Sequence, residues 1–111
     1  MEKRIGKIEN VKFGLGGYQD AMIGLSVTLI GDSWGVNYFK GYWDSESVKC
    51  TENTKWTESE RSNYYSETIK HLSKLLKDSK VDSVEKLKGK PIEVTFDGNM
   101  LKSWRILTEV L

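Results

Sequence analysis

The stretch Gly14-Leu15-Gly16-Gly17-Tyr18-Gln19-Asp20 sets three glycines ahead of a tyrosine and two polar residues. Glycines at this density cradle phosphates when their backbone amides lead into the N-terminus of a helix. The dinucleotide pattern needs a third glycine where this chain has Gln19, and no Gly-Lys-Ser/Thr follows to make a P-loop. Residues 21–30 then alternate with period two, so the element that follows is a strand. The stretch reads as a turn between two strands. One binding chemistry survives that reading: successive glycine amides in left-handed turns can form a nest for an anion. Tyr18, Gln19 and Asp20 would then supply stacking and hydrogen bonds to a small ligand.

The remaining reactive side chains are sparse. His71 is the single histidine, with Glu67 and Leu75 four residues to either side, at the border of an apolar stripe. A general base needs partners arranged around a pocket, so a structural or solvated role is expected. Cys50 is the only cysteine and lies in a polar segment with no histidine near it in sequence, which describes a free thiol. Asp44, Glu46 and Glu52 share that segment, yet their spacing matches no calcium loop and there is no His/Cys set for zinc. The expectation is a non-enzymatic protein with no catalytic residues, no metal and no cofactor.

The elements that would position these residues are legible from periodicity. Residues 5–15 form a first strand with Val11, Phe13 and Leu15 on one face; Ile5 shares their parity and Ile8 does not. Either Ile8 lies on the exposed face or a bulge resets the register. Ala21, Ile23, Leu25, Val27 and Leu29 define the apolar face of a second strand, and Gly31-Asp32-Ser33 turns the chain into a third, residues 34–43. Residues 44–55 read as loop. Thr57-Glu58-Ser59-Glu60 is a capping box, preceded by Trp56 as a hydrophobic staple. It opens a helix from about residue 58 to about residue 77, whose stripe is Tyr65, Ile69, Leu72 and Leu76, widened by Tyr64, Thr68 and Leu75. Residues 81–87 make a short helical turn capped by Asp82 and stopped by Gly89. Pro91 opens a strand with Ile92, Val94 and Phe96 on one face. Asp97-Gly98-Asn99 forms a hairpin turn into a last strand over 101–110, with Trp104, Ile106 and Val110 on one face.

The predicted fold is one α+β domain over residues 1–111. It has an antiparallel five-stranded sheet, flat or curled toward a barrel, with one long helix on one face in the order β-β-β-α-β-β. At 111 residues, 38% hydrophobic and 30% charged, the chain suits a single folded core. The net charge of +1 lacks the basic excess of a duplex-DNA binder. The opening residues contain no apolar signal core, and no segment approaches the roughly 20 apolar residues of a membrane span. With its lone thiol, the chain is expected in the cytoplasm.

The third strand carries the densest signal. Trp34, Tyr38, Phe39, Tyr42 and Trp43 are aromatic among ten residues, and they divide between both faces, Phe39 and Trp43 having the parity opposite to the rest. Aromatics on a sheet beside lysines form a platform for single-stranded bases, and Lys12, Lys40 and Lys102 would supply charge on the polar face. Leu101 and Leu107, off-parity from Trp104, leave further apolar area on the second face of the last strand, the face that also carries Arg105. Uncovered apolar area marks an interface, with a partner protein or a second copy. The candidate binding residues are therefore Tyr18, Gln19, Asp20, Phe39, Lys40, Trp43 and Arg105.

Two segments, "IGKIENVKFGLGGYQDAMIGLSVTLIGDSWGV" and "KLKGKPIEVTFDGNMLKSWRILTEVL", resemble small, mostly uncharacterised accessory proteins of tailed bacteriophages and prophages. The resemblance covers roughly two thirds of the chain and carries no catalytic motif. It implies an accessory protein that acts by binding in the host cytoplasm: an inhibitor of a host defence or regulatory protein, or alternatively a protein that sequesters a small nucleotide or binds single-stranded nucleic acid.

Overall fold

Alternating apolar residues in 22–31 need a second strand on each side, and the chain supplies them by doubling back twice. A computed structural model of the chain describes residues 1–111. Its strands are β1 (Glu2–Gly16), β2 (Met22–Gly31), β3 (Trp34–Trp43), β4 (Pro91–Asp97) and β5 (Met100–Ile106), with one helix, α1 (Glu58–Ser79), between β3 and β4. The strands form one antiparallel sheet in the order β3-β2-β1-β4-β5, as the α+β reading requires. The sheet curls over its helix-facing side without closing. Tyr38 of β3 meets Trp104 of β5 edge-to-face at 5.5 Å, and Trp34 meets Phe96 at 5.6 Å, but no ladder joins β3 to β5.

The parity conflict in β1 resolves as a bulge. Ile8 pairs with Leu29 and Asn10 with Thr28, so Glu9 is the extra residue. Before it, Ile5 points away from the core and is 58% exposed; Ile8 and Val11 then face inward. A second bulge leaves Lys102 unpaired in β5, because Ser103 pairs with Thr95 and Leu101 with Phe96. It turns Leu101 toward the core, against the expectation of apolar surplus there. Leu107 is buried as well, and Val110 lies beyond the strand in a 3₁₀ turn, Thr108–Val110.

The core is Ile8, Leu25, Val27, Leu29, Ile92, Val94, Phe96 and Ile106 from the sheet, closed by Leu75 of α1 and Leu87 of a 3₁₀ turn, Val84–Leu87. Each fully buried leucine or isoleucine contributes about 1.5–3 kcal/mol. At the N-terminus of α1 the Thr57 hydroxyl accepts from the Glu60 amide at 3.1 Å, while the return bond of a full capping box is not made. The staple position opposite Trp56 is held by Arg61, whose guanidinium lies 4.5 Å from the indole centroid. The helix runs two residues past its expected end and stops on Lys80 in the left-handed region, whose amide donates to Leu76 and Lys77 carbonyls. Asp82 is not a cap: it pairs with Lys86 at 2.7 Å, and Ser83 precedes the turn.

The helix is rotated from the expected stripe. Arg61, Thr68, Leu75 and Ser79 are buried, Leu72 and Leu76 are half-buried, and Ile69 is 54% exposed. On the sheet beneath, Phe13 and Leu15 are 38% and 48% exposed. One amphipathic helix covers β2 and the rims of the curled sheet, and it leaves the distal half of β1 bare.

Candidate functional site

Because β2 buries its odd-numbered residues, its even-numbered ones face away from the helix, and the strand register aligns them with neighbours on β1 and β3. Four rows result: Asn10-Thr28-Asn37, Lys12-Ser26-Phe39, Gly14-Gly24-Gly41 and Gly16-Met22-Trp43. The first two rows line a trough of about 650 Å³ whose walls are Asn10, Lys12, Ser26, Thr28, Asn37 and Phe39. Thr28 Oγ1 donates to Asn37 Oδ1 at 2.9 Å, which leaves the Asn37 amide nitrogen for another acceptor. The glycine row lets β2 and β3 approach closely: a Cβ on Gly24 would stand 2.6 Å from Gly41 Cα. It also gives the Phe39 ring room to lean across β2, to within 3.5 Å of where a Cβ on Gly16 would be. Phe39 and Trp43 are each half-buried on this face.

The glycine-rich segment is a turn. Gly17, Gln19 and Asp20 all have positive φ, and Tyr18–Asp20 makes one 3₁₀ turn. The Asp20 and Ala21 amides donate to the carbonyls of Gly17 and Tyr18, so these two donors are taken up within the turn. Tyr18 packs edge-on to Trp43 at 6.5 Å, joining the turn to the far end of the aromatic row. Gln19 and Asp20 are exposed beside it.

The structure thus brings together Tyr18, Gln19, Asp20, Phe39 and Trp43, and separates Lys40 and Arg105 from them. Lys40 pairs with Leu25 and so belongs to the helix-facing side, as its parity with Tyr38 dictates. It contributes no charge to the platform, contrary to the grouping with Lys12. Lys102 is the bulge residue of β5, its ammonium 3.1 Å from Met1 Sδ. Arg105 is an edge clamp: it bonds Glu93 and grips Glu109 with both terminal nitrogens. Hydrogen bonding to Arg105 draws Glu109 down to about 2.

His71 is packed between Tyr38, 5.8 Å away, and Trp104, 6.0 Å away, and its buried Nε2 has no hydrogen-bonding partner. Burial first, then the charges of Lys40 and Lys74, lowers its pKa. The folded protein therefore favours neutral His71: its contribution to stability is complete above the ordinary histidine value of 6.5 and is lost as pH falls through the lower folded value. Urea midpoints are expected to drop between pH 8 and pH 5 in the wild type and to drop less in H71Q.

Sequence reasoning missed a second aromatic group. Tyr42 stacks on Tyr64 at 4.3 Å and meets Trp56 edge-on at 5.5 Å, with Arg61 over the indole. Its signal was Tyr64, four helical positions ahead of Thr68, outside the narrow stripe. Cys50 Sγ sits 3.3 Å from both Thr54 Oγ1 and the Trp56 carbonyl, and Asp44 Oδ2 accepts from the amides of Glu46 and Ser47, so both close the 44–57 loop. No protein family, curated protein or solved structure matches this chain. No helix is long and apolar enough to cross a membrane.

Proposed function

We propose that the chain is a non-enzymatic binding protein that acts by protein–protein contact through the face of the sheet opposite the helix. The observation that carries this reading is the trough itself: neutral amides and hydroxyls from Asn10, Ser26, Thr28 and Asn37 beside the Phe39 ring, with Lys12 the one charged wall. Neutral hydrogen-bonding groups around an aromatic anchor are the chemistry of a protein interface core. A nucleic-acid strand would call for several cations placed to neutralise phosphates. The ionisable residues elsewhere support the same reading, since Arg61, Arg105 and Asp82 are committed to internal pairs and His71 is wedged between aromatic rings. The resemblance of both chain ends to phage accessory proteins extends the proposal to an inhibitor of a host defence or regulatory protein.

The nucleotide reading keeps one specific support, the Tyr18–Trp43 pair at the end of a glycine floor, where a planar base could stack. The two are separated by one pair of measurements. Tagged wild type and the F39A and N37A variants are incubated with bacterial lysate; a host protein retained by the wild type and reduced more than about tenfold by both variants supports protein contact. Tryptophan fluorescence titrated with mononucleotides and short oligonucleotides at low salt tests the other reading. Quenching there, with protein capture unaffected by either variant, overturns the first reading in favour of the second.

A further inference from the structure

The geometry points to a two-fold dimer of this chain, formed by antiparallel pairing of the free edge of β1 with the same edge of a second copy. β1 is 15 residues long, but β4 pairs only with Glu2–Lys7. The last bonds on that side run from the Ile8 amide to Lys90 and from the Gly89 amide to the Ile8 carbonyl. Residues 10–16 have β2 on one side and no strand on the other. Alternate amides and carbonyls there lack a protein partner, an arrangement that folded sheets guard with charge, proline or cover. Here the guard is missing. The segment reads Asn10-Val11-Lys12-Phe13-Gly14-Leu15-Gly16, and its one charge, Lys12, points to the face away from the helix.

The vacant lane beside this edge has an apolar wall. Phe13, Ile23, Tyr65, Thr68 and Ile69 line a groove of about 260 Å³ between the sheet and α1, and Ile69, Leu72, Leu76 and Val81 continue it along the helix flank. An occupant must be an extended segment with apolar side chains toward the helix and small or polar ones opposite. It must be about seven residues long, since Gly89 and Lys90 close the lane at one end. β1 is itself such a segment. With the two-fold axis at Phe13, Val11 lies opposite the partner's Leu15, Phe13 opposite the partner's Phe13, Lys12 opposite the partner's Gly14 and Asn10 opposite the partner's Gly16. No like charges meet, and both apolar flanks are buried across one isologous contact. The outer edges of β3 and β5 offer no such match: Arg61 and Tyr65 hold the Trp43 carbonyl, and β5 carries Lys102 and Arg105. This inference is independent of what the trough on the opposite face binds.

Light scattering behind size exclusion is expected to give twice the 12.7 kDa of one chain. F13K puts two ammonium groups at the axis and is expected to weaken the dimer more than about tenfold, with far-UV circular dichroism unchanged. Should F13K fail to fold, register is read from F13C in a C50S background, whose sulfurs fall within disulfide reach across the axis, and from amide hydrogen exchange. Rapid crosslinking of F13C but not of I5C, with protection of residues 10–16, supports the proposal. A mass of one chain at all concentrations overturns it, and so does a dimer in which F13C fails to crosslink and residues 10–16 exchange freely.

Discussion

Replacing Arg61 by alanine is expected to lower stability by about 3 kcal/mol, read as a fall of roughly 15 °C in the melting temperature. Few surface-type residues would do as much, and the reason lies in where the guanidinium goes. Arg61 is 2% exposed in the first turns of α1. One terminal nitrogen donates to the carbonyls of Trp43 at 3.1 Å and Val48 at 3.0 Å; Nε and the other terminal nitrogen hold Glu58. Its plane covers Trp56. A single side chain therefore ties together the end of β3, the 44–57 loop and the helix cap. Alanine leaves the Val48 carbonyl without that donor and removes the packing under Trp56. Glu58 is the exposed partner, its side chain 66% accessible, so E58Q is expected to cost less than about 1 kcal/mol. Amide exchange across 44–57 should accelerate in R61A before the sheet opens, which distinguishes loss of this tie from general weakening.

The second large effect is expected at Gly24. A methyl group there would overlap the Lys40 carbonyl oxygen and stand 2.6 Å from Gly41 Cα, and backbone on an adjacent strand cannot turn aside as a side chain would. G24A must part β2 from the edge strand β3 within their ladder, at a cost of about 3 kcal/mol or more. Gly14 occupies the same row one strand over and makes the control. A methyl group there meets only Lys12 Cε at 3.8 Å, so G14A is expected to be neutral or to gain up to about 1 kcal/mol by stiffening the unfolded chain. Chemical denaturation of the two variants reads the difference directly. Equal stabilities would mean that the close approach of β2 and β3 is not what the glycine serves.

Much of the architecture was written in local patterns. The alternation from Ile23 to Leu29, the Thr57 cap and the Asp97-Gly98-Asn99 turn each report on a few neighbouring residues, and each appears where expected. What escaped depended on contacts across the sheet. Ile69 and Phe13 belong to faultless apolar stripes, yet their burial requires a strand that β4 is too short to provide. Leu101 changed faces because of a one-residue bulge at Lys102, which no residue type announces. Arg61 has the chemistry of a surface residue and is buried only because three segments end around it. Lys40 is a different case: its parity with Tyr38 already placed it on the helix side, and only attention to the lysines as a set moved it across. Among the candidate binding residues, the turn and the Phe39–Trp43 row are joined through Tyr18, a contact between residues 25 apart in sequence that periodicity has no means to report.

The pairing of Glu2 with Phe96 also bears on how the domain comes into being. As ribosomes extend the chain, β1, β2 and β3 emerge consecutively and can zip into a meander through short turns. The opposite flank of β1 must wait for a segment some ninety positions downstream, and closing so long a loop is entropically slow. β1 therefore gains its second neighbour only after nearly all of residues 1–111 have emerged, and nascent chains spend that interval with its β4-facing edge open to neighbours on the same polysome.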